Sequence, residues 1–133
     1  MKEVYRLEHK SIKLDKTLDA YASPYHIQEA ISENGYTDKY GFIVAKLIKK
    51  HATLDRPGWF ADFKKNELAQ VCVFTLSACP TLNALKDWFS CCYDDLLELG
   101  FVIRKYTVKE YILSKSKKQC IFQDFNIIKK QVI

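Results

Sequence analysis

Glycine and proline are scarce in this chain, with four Gly and three Pro among 133 residues. Few breaks and little loop are therefore expected. The same scarcity excludes several phosphate-binding devices. Four scattered glycines cannot build a G-x-G-x-x-G turn, and neither a G-x-x-x-x-G-K loop nor a G-x-S-x-G nucleophile elbow is present. Cysteine is present without useful spacing: Cys72, Cys79, Cys91, Cys92 and Cys120 form no C-x-x-C pair. Zinc sites need two close ligand pairs, so no metal is expected. Five unpaired thiols fit a reducing compartment, mostly buried as small apolar groups. No apolar run approaches the roughly 18–20 residues of a membrane span. The start, MKEVYRLEHK, is charged and alternating, with no apolar export segment. These absences point to a cytoplasmic protein without a membrane partner.

Arginine is also rare, at three of the 21 basic residues. Arg is the residue favoured for bidentate phosphate and guanine contacts. The formal charge of +5 and the pairs Lys49-Lys50, Lys64-Lys65, Lys117-Lys118 and Lys129-Lys130 allow a nucleic-acid partner. They fit solvated lysine faces better.

What is present is globular in kind: 48% apolar residues, 28% charged, and eight Tyr, eight Phe and two Trp. At this length the chain is expected to form a single α+β domain over residues 1–133. Val4 to His9 alternates as a strand does, with Tyr5, Leu7 and His9 on one face and Arg6 and Glu8 on the other. Ser23-Pro24 opens a helix that Gly35 closes. Tyr40, Ile43, Val44, Leu47 and Ile48 form a second helical stripe, with a strand over 41–47 as the competing reading. Residues 51–66 read as a loop, with turn chemistry at Asp55-Arg56-Pro57-Gly58. The run 68–76 reads as a strand buried on both faces. From Thr81, a plain N-cap, one amphipathic helix is expected to about residue 99, with Leu82, Leu85, Trp88, Phe89, Cys92, Leu96 and Leu99 on one stripe and Gly100 as its stop. FVIRKYTV, YILSK and QCIFQ then read as strands, with SKSKK as a basic turn, and IIKKQVI as a strand or a last helical turn. The expected architecture is a mainly antiparallel sheet carrying two N-terminal helices and the long helix of about 81–99.

Candidate chemistry is thin. His51 and Asp55 stand four apart before the Pro-Gly turn, the spacing of an imidazole oriented by a carboxylate. Arg6, on the polar face of the first strand, is expected to make a surface ion pair, and His9 to be a hydrogen-bonded core or edge residue. Thr75 and Ser77 could present hydroxyls, or cap the following helix. Cys91 and Cys92 fall in mid-helix, where no dipole activates a thiol, so a nucleophilic cysteine is not expected. Trp59, Phe60 and Phe63 cluster beside the turn, where they plug the core or line a groove. With Tyr25 and Asp55 they make up the expected binding set.

Taken together, Tyr5-Arg6-x-Glu8-His9, Ser23-Pro24-Tyr25, His51-x-x-x-Asp55-x-x-Gly58, Leu82-x-x-Leu85-x-x-Trp88-Phe89, Gly100-Phe101-Val102 with Tyr106, and Lys118-Gln119-x-x-Phe122 resemble small uncharacterised bacteriophage and prophage proteins. That resemblance implies an accessory protein that binds a host protein, such as a defence component. A fainter similarity is to the ADP-ribosyltransferase layout, which maps onto Arg6, Thr75 or Ser77, and Gln119 and implies NAD as ligand, with His51 in the same pocket. That family usually has Glu where Gln119 stands, and a neutral amide cannot offset developing positive charge. The expectation is thus a non-enzymatic binder without cofactor, with an NAD-binding site, functional or degenerate, as the alternative.

Overall fold

A computed structural model describes residues 1–13, 21–24, 59–71 and 75–133. Among them the strands are β1 (Lys2–His9), β2 (Thr75–Ala78), β3 (Phe101–Val108), β4 (Ile112–Leu113), β5 (Cys120–Gln123) and β6 (Ile127–Val132). The helices are α1 (Trp59–Asp62), α2 (Lys65–Leu68), α3 (Leu82–Trp88) and α4 (Tyr93–Glu98), with a 3-10 turn at Asp124–Asn126. The described residues thus form an α+β fold, and its named strand pairs are antiparallel. The two helices expected before residue 51 lie outside the described residues.

The expected single sheet is two. One has the order β1-β3-β6 and the other β2-β5-β4. They meet where Tyr5 and Cys79 exchange two backbone hydrogen bonds of 2.8 Å each, so the free edge of β1 receives the end of β2. The physical cause lies in β1, which is buried on both faces and needs a layer on each. Its odd residues, Tyr5 and Leu7, pack with Phe101 and Ile103 of β3 under Leu85, Trp88, Phe89, Cys92 and Leu96 of the helical layer. On the opposite face Val4, Tyr106 and Val108 pack against Leu76, Ala78, Cys120 and Phe122 of the second sheet. A two-sided strand in an antiparallel context forces helix, sheet and sheet into three successive layers.

The long helix of 81–99 is corrected to two short ones. Thr81 caps α3 as expected, its Oγ1 accepting from Ala84 N at 3.0 Å. After Trp88 the ladder shifts to three-residue steps, Ser90 N to Asp87 O at 3.2 Å and Cys92 N to Phe89 O at 3.1 Å, before α4 starts. Cys92 leaves helical geometry altogether (φ −154, ψ 23). The segment Ser90-Cys91-Cys92 consists of weak helix formers. The interruption lets Trp88, Phe89, Cys92 and Leu96 all reach the core, each at most 8% exposed. The stripe was legible; the continuity was not.

Two further readings change. Within 68–76, Leu68 ends α2, residues 72–74 lie outside the described set, and the strand runs Thr75–Ala78 with alternating burial. It is covered on one face rather than both. Within the expected loop 51–66, Trp59–Asp62 and the start of Lys65–Leu68 are short helical turns. The tail is the strand β6.

Candidate functional site

Arg6 is the first sequence candidate whose surroundings differ from expectation. It is 4% exposed, not a surface residue. Alternation puts Val4, Arg6 and Glu8 on the face of β1 that the second sheet covers, and the register sets Arg104 directly opposite Arg6 and Tyr106 opposite Val4. Glu8 is fully buried between them. Its Oε1 accepts from Arg6 Nε at 2.9 Å and from the Tyr106 hydroxyl, and its Oε2 lies 3.1 Å from Arg104 Nε. Arg6 Nη1 also donates to the backbone carbonyl of Ser77, tying β1 to β2. Arg104 stacks on Tyr21, its guanidinium carbon 4.7 Å from the ring centroid.

Two guanidiniums share one carboxylate here, and the match is incomplete. Among the described residues Arg6 Nη2 meets no hydrogen-bond partner, and Arg104 Nε and Glu8 Oε2 approach as an ion pair without hydrogen-bond alignment. Burial, and next the Glu8 carboxylate, hold the Tyr106 hydroxyl well above its ordinary range, so it stays a proton donor. With Arg6 and Glu8 closed to solvent, the cluster orders the fold: it fixes the register of β1 on β3 and clamps β2 across them.

Gln119 belongs to a different network, built on Asp62 at the end of α1. Asp62 Oδ1 accepts from Ser116 N at 2.7 Å, and its Oδ2 accepts from Ser116 Oγ at 2.7 Å and Gln119 Nε2 at 2.8 Å. Its carbonyl accepts from Lys115 N at 2.7 Å. Burial pushes the Asp62 carboxyl up, but the bonds from Gln119, Ser116 and Ser114 outweigh it and hold the group below its ordinary value. The network pins the SKSKK turn between β4 and β5, where Lys117 adopts positive φ (63).

The other candidates disperse. Thr75 Oγ1 donates to Gln123 Oε1 at 3.0 Å across β2 and β5, and does not cap a helix. Among the described candidates, Arg6 meets Ser77, through its backbone carbonyl. His9 is buried, as expected. Its Nε2 lies 3.1 Å from the Leu99 carbonyl, while Nδ1 accepts from Ile12 N at 3.1 Å and Ser11 N at 3.2 Å. Nδ1 is therefore the acceptor and Nε2 the donor, and burial keeps the ring's pKa below the ordinary value. Phe63, at 1% exposure, takes the core role of its two. Trp59 and Phe60 stand on α1. Tyr25, His51 and Asp55 lie outside the described residues.

Sequence reasoning passed over Glu8, Arg104 and Asp62. A signal existed for the first two: Arg6 and Glu8 repeat at the strand period, as do Arg104 and Tyr106. Asp62 gave none, because its partners lie more than 50 residues away.

At the surface, β6 is the feature that offers contact. It pairs with β3 on one side and with no described strand on the other. Ile128 and Val132 on it are 47% and 54% exposed, Ile133 follows at 56%, and Phe125 just before it is 72% exposed. Lys129 and Lys130 sit among them. Beside Phe125 a hollow of about 220 Å³ is lined by Thr75, Tyr111, Ile112, Phe122 and Gln123. That is below the roughly 300–1,000 Å³ of small-molecule sites and suits one large side chain. No described helix is long and apolar enough to cross a membrane.

No curated protein and no solved structure matches the chain, and the ADP-ribosyltransferase layout finds no support in these comparisons. One family does match, the one described as Bacteriophage T4 Y00F protein, over residues 1–132. The phage resemblance read from the motifs therefore holds, and the chain belongs to the Bacteriophage T4 Y00F protein family.

Proposed function

We propose that this phage protein acts inside the infected cell as a non-enzymatic accessory factor, docking on a host protein through β6 and Phe125. The observation that carries the reading is a strand that meets no described strand on its outer side and bears exposed apolar residues. An edge strand can take up an added strand through its outward backbone groups, and alternate side chains give the specificity. Phe125 and the hollow beside it supply the kind of aromatic anchor and pocket on which interface energy concentrates.

Charge selects the occupant. If two copies paired antiparallel about the centre of β6, Lys129 of one would face Lys130 of the other, which is unfavourable. An acidic, extended host segment meets the same lysines favourably. Single-sign charge at an interface sets association rate and partner choice more than affinity. The acidic chemistry also separates this reading from nucleic-acid binding, in which affinity would fall steeply with salt whatever the state of Ile128.

The test compares tagged wild type with Ile128→Asp and Phe125→Ala in host lysate, with thermal unfolding as the control for folding. Wild type is expected to retain one partner at near-equal stoichiometry, and both folded variants to lose it. Hydrogen exchange along β6 should slow in the purified complex. The reading fails if folded variants and wild type retain the same proteins, or if β6 exchange is unchanged by the bound protein.

A further inference from the structure

The interruption between α3 and α4 places two thiols in contact. On a continuous helix, neighbouring residues project about 100° apart, and their side chains do not face each other. Here the chain leaves helical geometry at Cys92, and Sγ of Cys91 lies 3.1 Å from Sγ of Cys92. Both residues border an open cleft of about 460 Å³, together with Lys86, Ser90, Tyr93 and Asp94. Cys91 is half-buried, and Cys92 reaches back into the helical core.

We propose that Cys91 and Cys92 form a reversible oxidation site, closing to a vicinal disulfide when a low-molecular-weight disulfide of the glutathione type enters this cleft. The Cys91 thiolate attacks one sulfur of the small disulfide, forming a mixed disulfide and expelling one small thiolate. Cys92 gives its proton to solvent and attacks the Cys91 sulfur, and the second small thiolate leaves. One S–S bond is broken in the oxidant and one is formed in the protein. Two electrons pass to the small disulfide, and its two thiolates take up the two protons released.

Among the described cysteines, three observations single out this pair. The sulfurs need to close by about 1 Å to reach the bonded distance of about 2.05 Å. The cleft is lined by polar groups, and Cys91, half-buried beside it, is the described thiol open to an aqueous oxidant; Cys92 is buried but lies against Cys91, whereas Cys79 and Cys120 are buried away from it. Burial also pushes the Cys79 thiol up to about 12 and the Cys120 thiol higher still, so neither supplies thiolate. Reversibility follows from geometry. Adjacent Cα atoms are about 3.8 Å apart, short of the 4.4–6.8 Å usual for a disulfide, and strained disulfides are the readily reduced ones. In a reducing cytosol the pair stays open, and it closes only under oxidant.

The wild-type protein is sufficient for the test. It is incubated with excess oxidised glutathione, alkylated after denaturation, and cleaved with trypsin, which releases residues 87–104 as one peptide carrying these two cysteines alone. The expected product is that peptide lighter by two hydrogens, without alkyl groups or glutathione, and restored to the doubly alkylatable form by mild thiol. In Cys92→Ser, glutathione should remain on Cys91, because the resolving thiol is gone. The proposal is overturned if the wild-type peptide is still doubly alkylated, if it retains a stable glutathione adduct, or if the oxidised bond maps to Cys72, Cys79 or Cys120.

Discussion

Two carboxylates are buried among the described residues, and they are buried in different ways. Asp62 is surrounded by donors that carry no net charge, the amide and hydroxyl of Ser116 and the amide of Gln119, at 2.7–2.8 Å. Glu8 is surrounded by two guanidiniums and a phenol, with atoms on both sides left imperfectly matched. The first is a satisfied polar knot that anchors a turn. The second is an ion triad whose mutual attraction must offset the desolvation of three charges. Hydrogen-bond completeness and charge pairing are thus separate routes to burying an acid, and they fail differently.

The sharpest way to separate them is to remove one charge. Glu8→Gln takes the carboxylate from the buried Arg6 and the partly buried Arg104, and unfolding in denaturant should show a loss of about 3–5 kcal/mol. Replacing the whole triad should behave otherwise. Arg6→Met with Glu8→Leu and Arg104→Leu is expected to recover most of that loss, since a packed apolar set often equals a buried ion triad. A triple variant as unstable as Glu8→Gln would show that the charges themselves hold β1, β2 and β3 together.

Asp62→Asn is expected to cost less, about 1.5–3 kcal/mol, the range for hydrogen bonds to a charged group. The new amide presents a donor to partners that also donate. Hydrogen exchange should rise at Lys115 and Ser116 and stay slow in β1 and β3.

Acid titration comes next in size, with the sign fixed by the pKa directions. The folded-state pKa of Asp62 is depressed, so its stabilisation is present above its unfolded value of about 3.9 and is lost as pH falls through the folded value. His9 is also depressed, by burial. The unfolded chain therefore binds the His9 proton first, and stability should decline as pH falls below about 6.5. Thermal unfolding between pH 8 and pH 3 should show a first decline that His9→Gln removes and a second that Asp62→Asn removes.

The smallest effect is at Lys117, whose φ of 63 is strained for a residue with a Cβ. Lys117→Gly should be neutral or stabilising by up to about 1 kcal/mol, because relief of strain competes with glycine's freedom in the unfolded chain. A loss of stability would mean that the lysine side chain itself supports the Asp62 turn.

Much of the local structure was legible. The period-2 alternation of β1, the apolar stripe from Leu82 to Leu99, the Thr81 cap and the Gly100 stop each depend on neighbours within a few residues. Gly100 shows how local and tertiary demands coincide. Its φ of 95 suits glycine alone, and a Cβ there would meet His9 Nε2 at 3.1 Å. The candidate site was less legible. Arg6 reads as a surface ion-pairing residue from sequence, because nothing local reveals that a second sheet covers it. Gln119 reads as a possible catalytic position, and only the approach of Asp62 makes it a turn anchor.

By itself, then, the sequence determined the α+β class, the alternation of β1, the strands after Gly100 in outline and the phage family, since periodicity, caps and motifs are carried by the chain. Tertiary structure decided that the strands form two sheets, that the polar face of β1 is buried, and that the long helix breaks at Cys91-Cys92. The physical reason is common to all three. Each depends on what another element 50 to 100 residues away covers, and a layer that buries both faces of β1 bends the helix to its core and encloses Glu8 with its arginines.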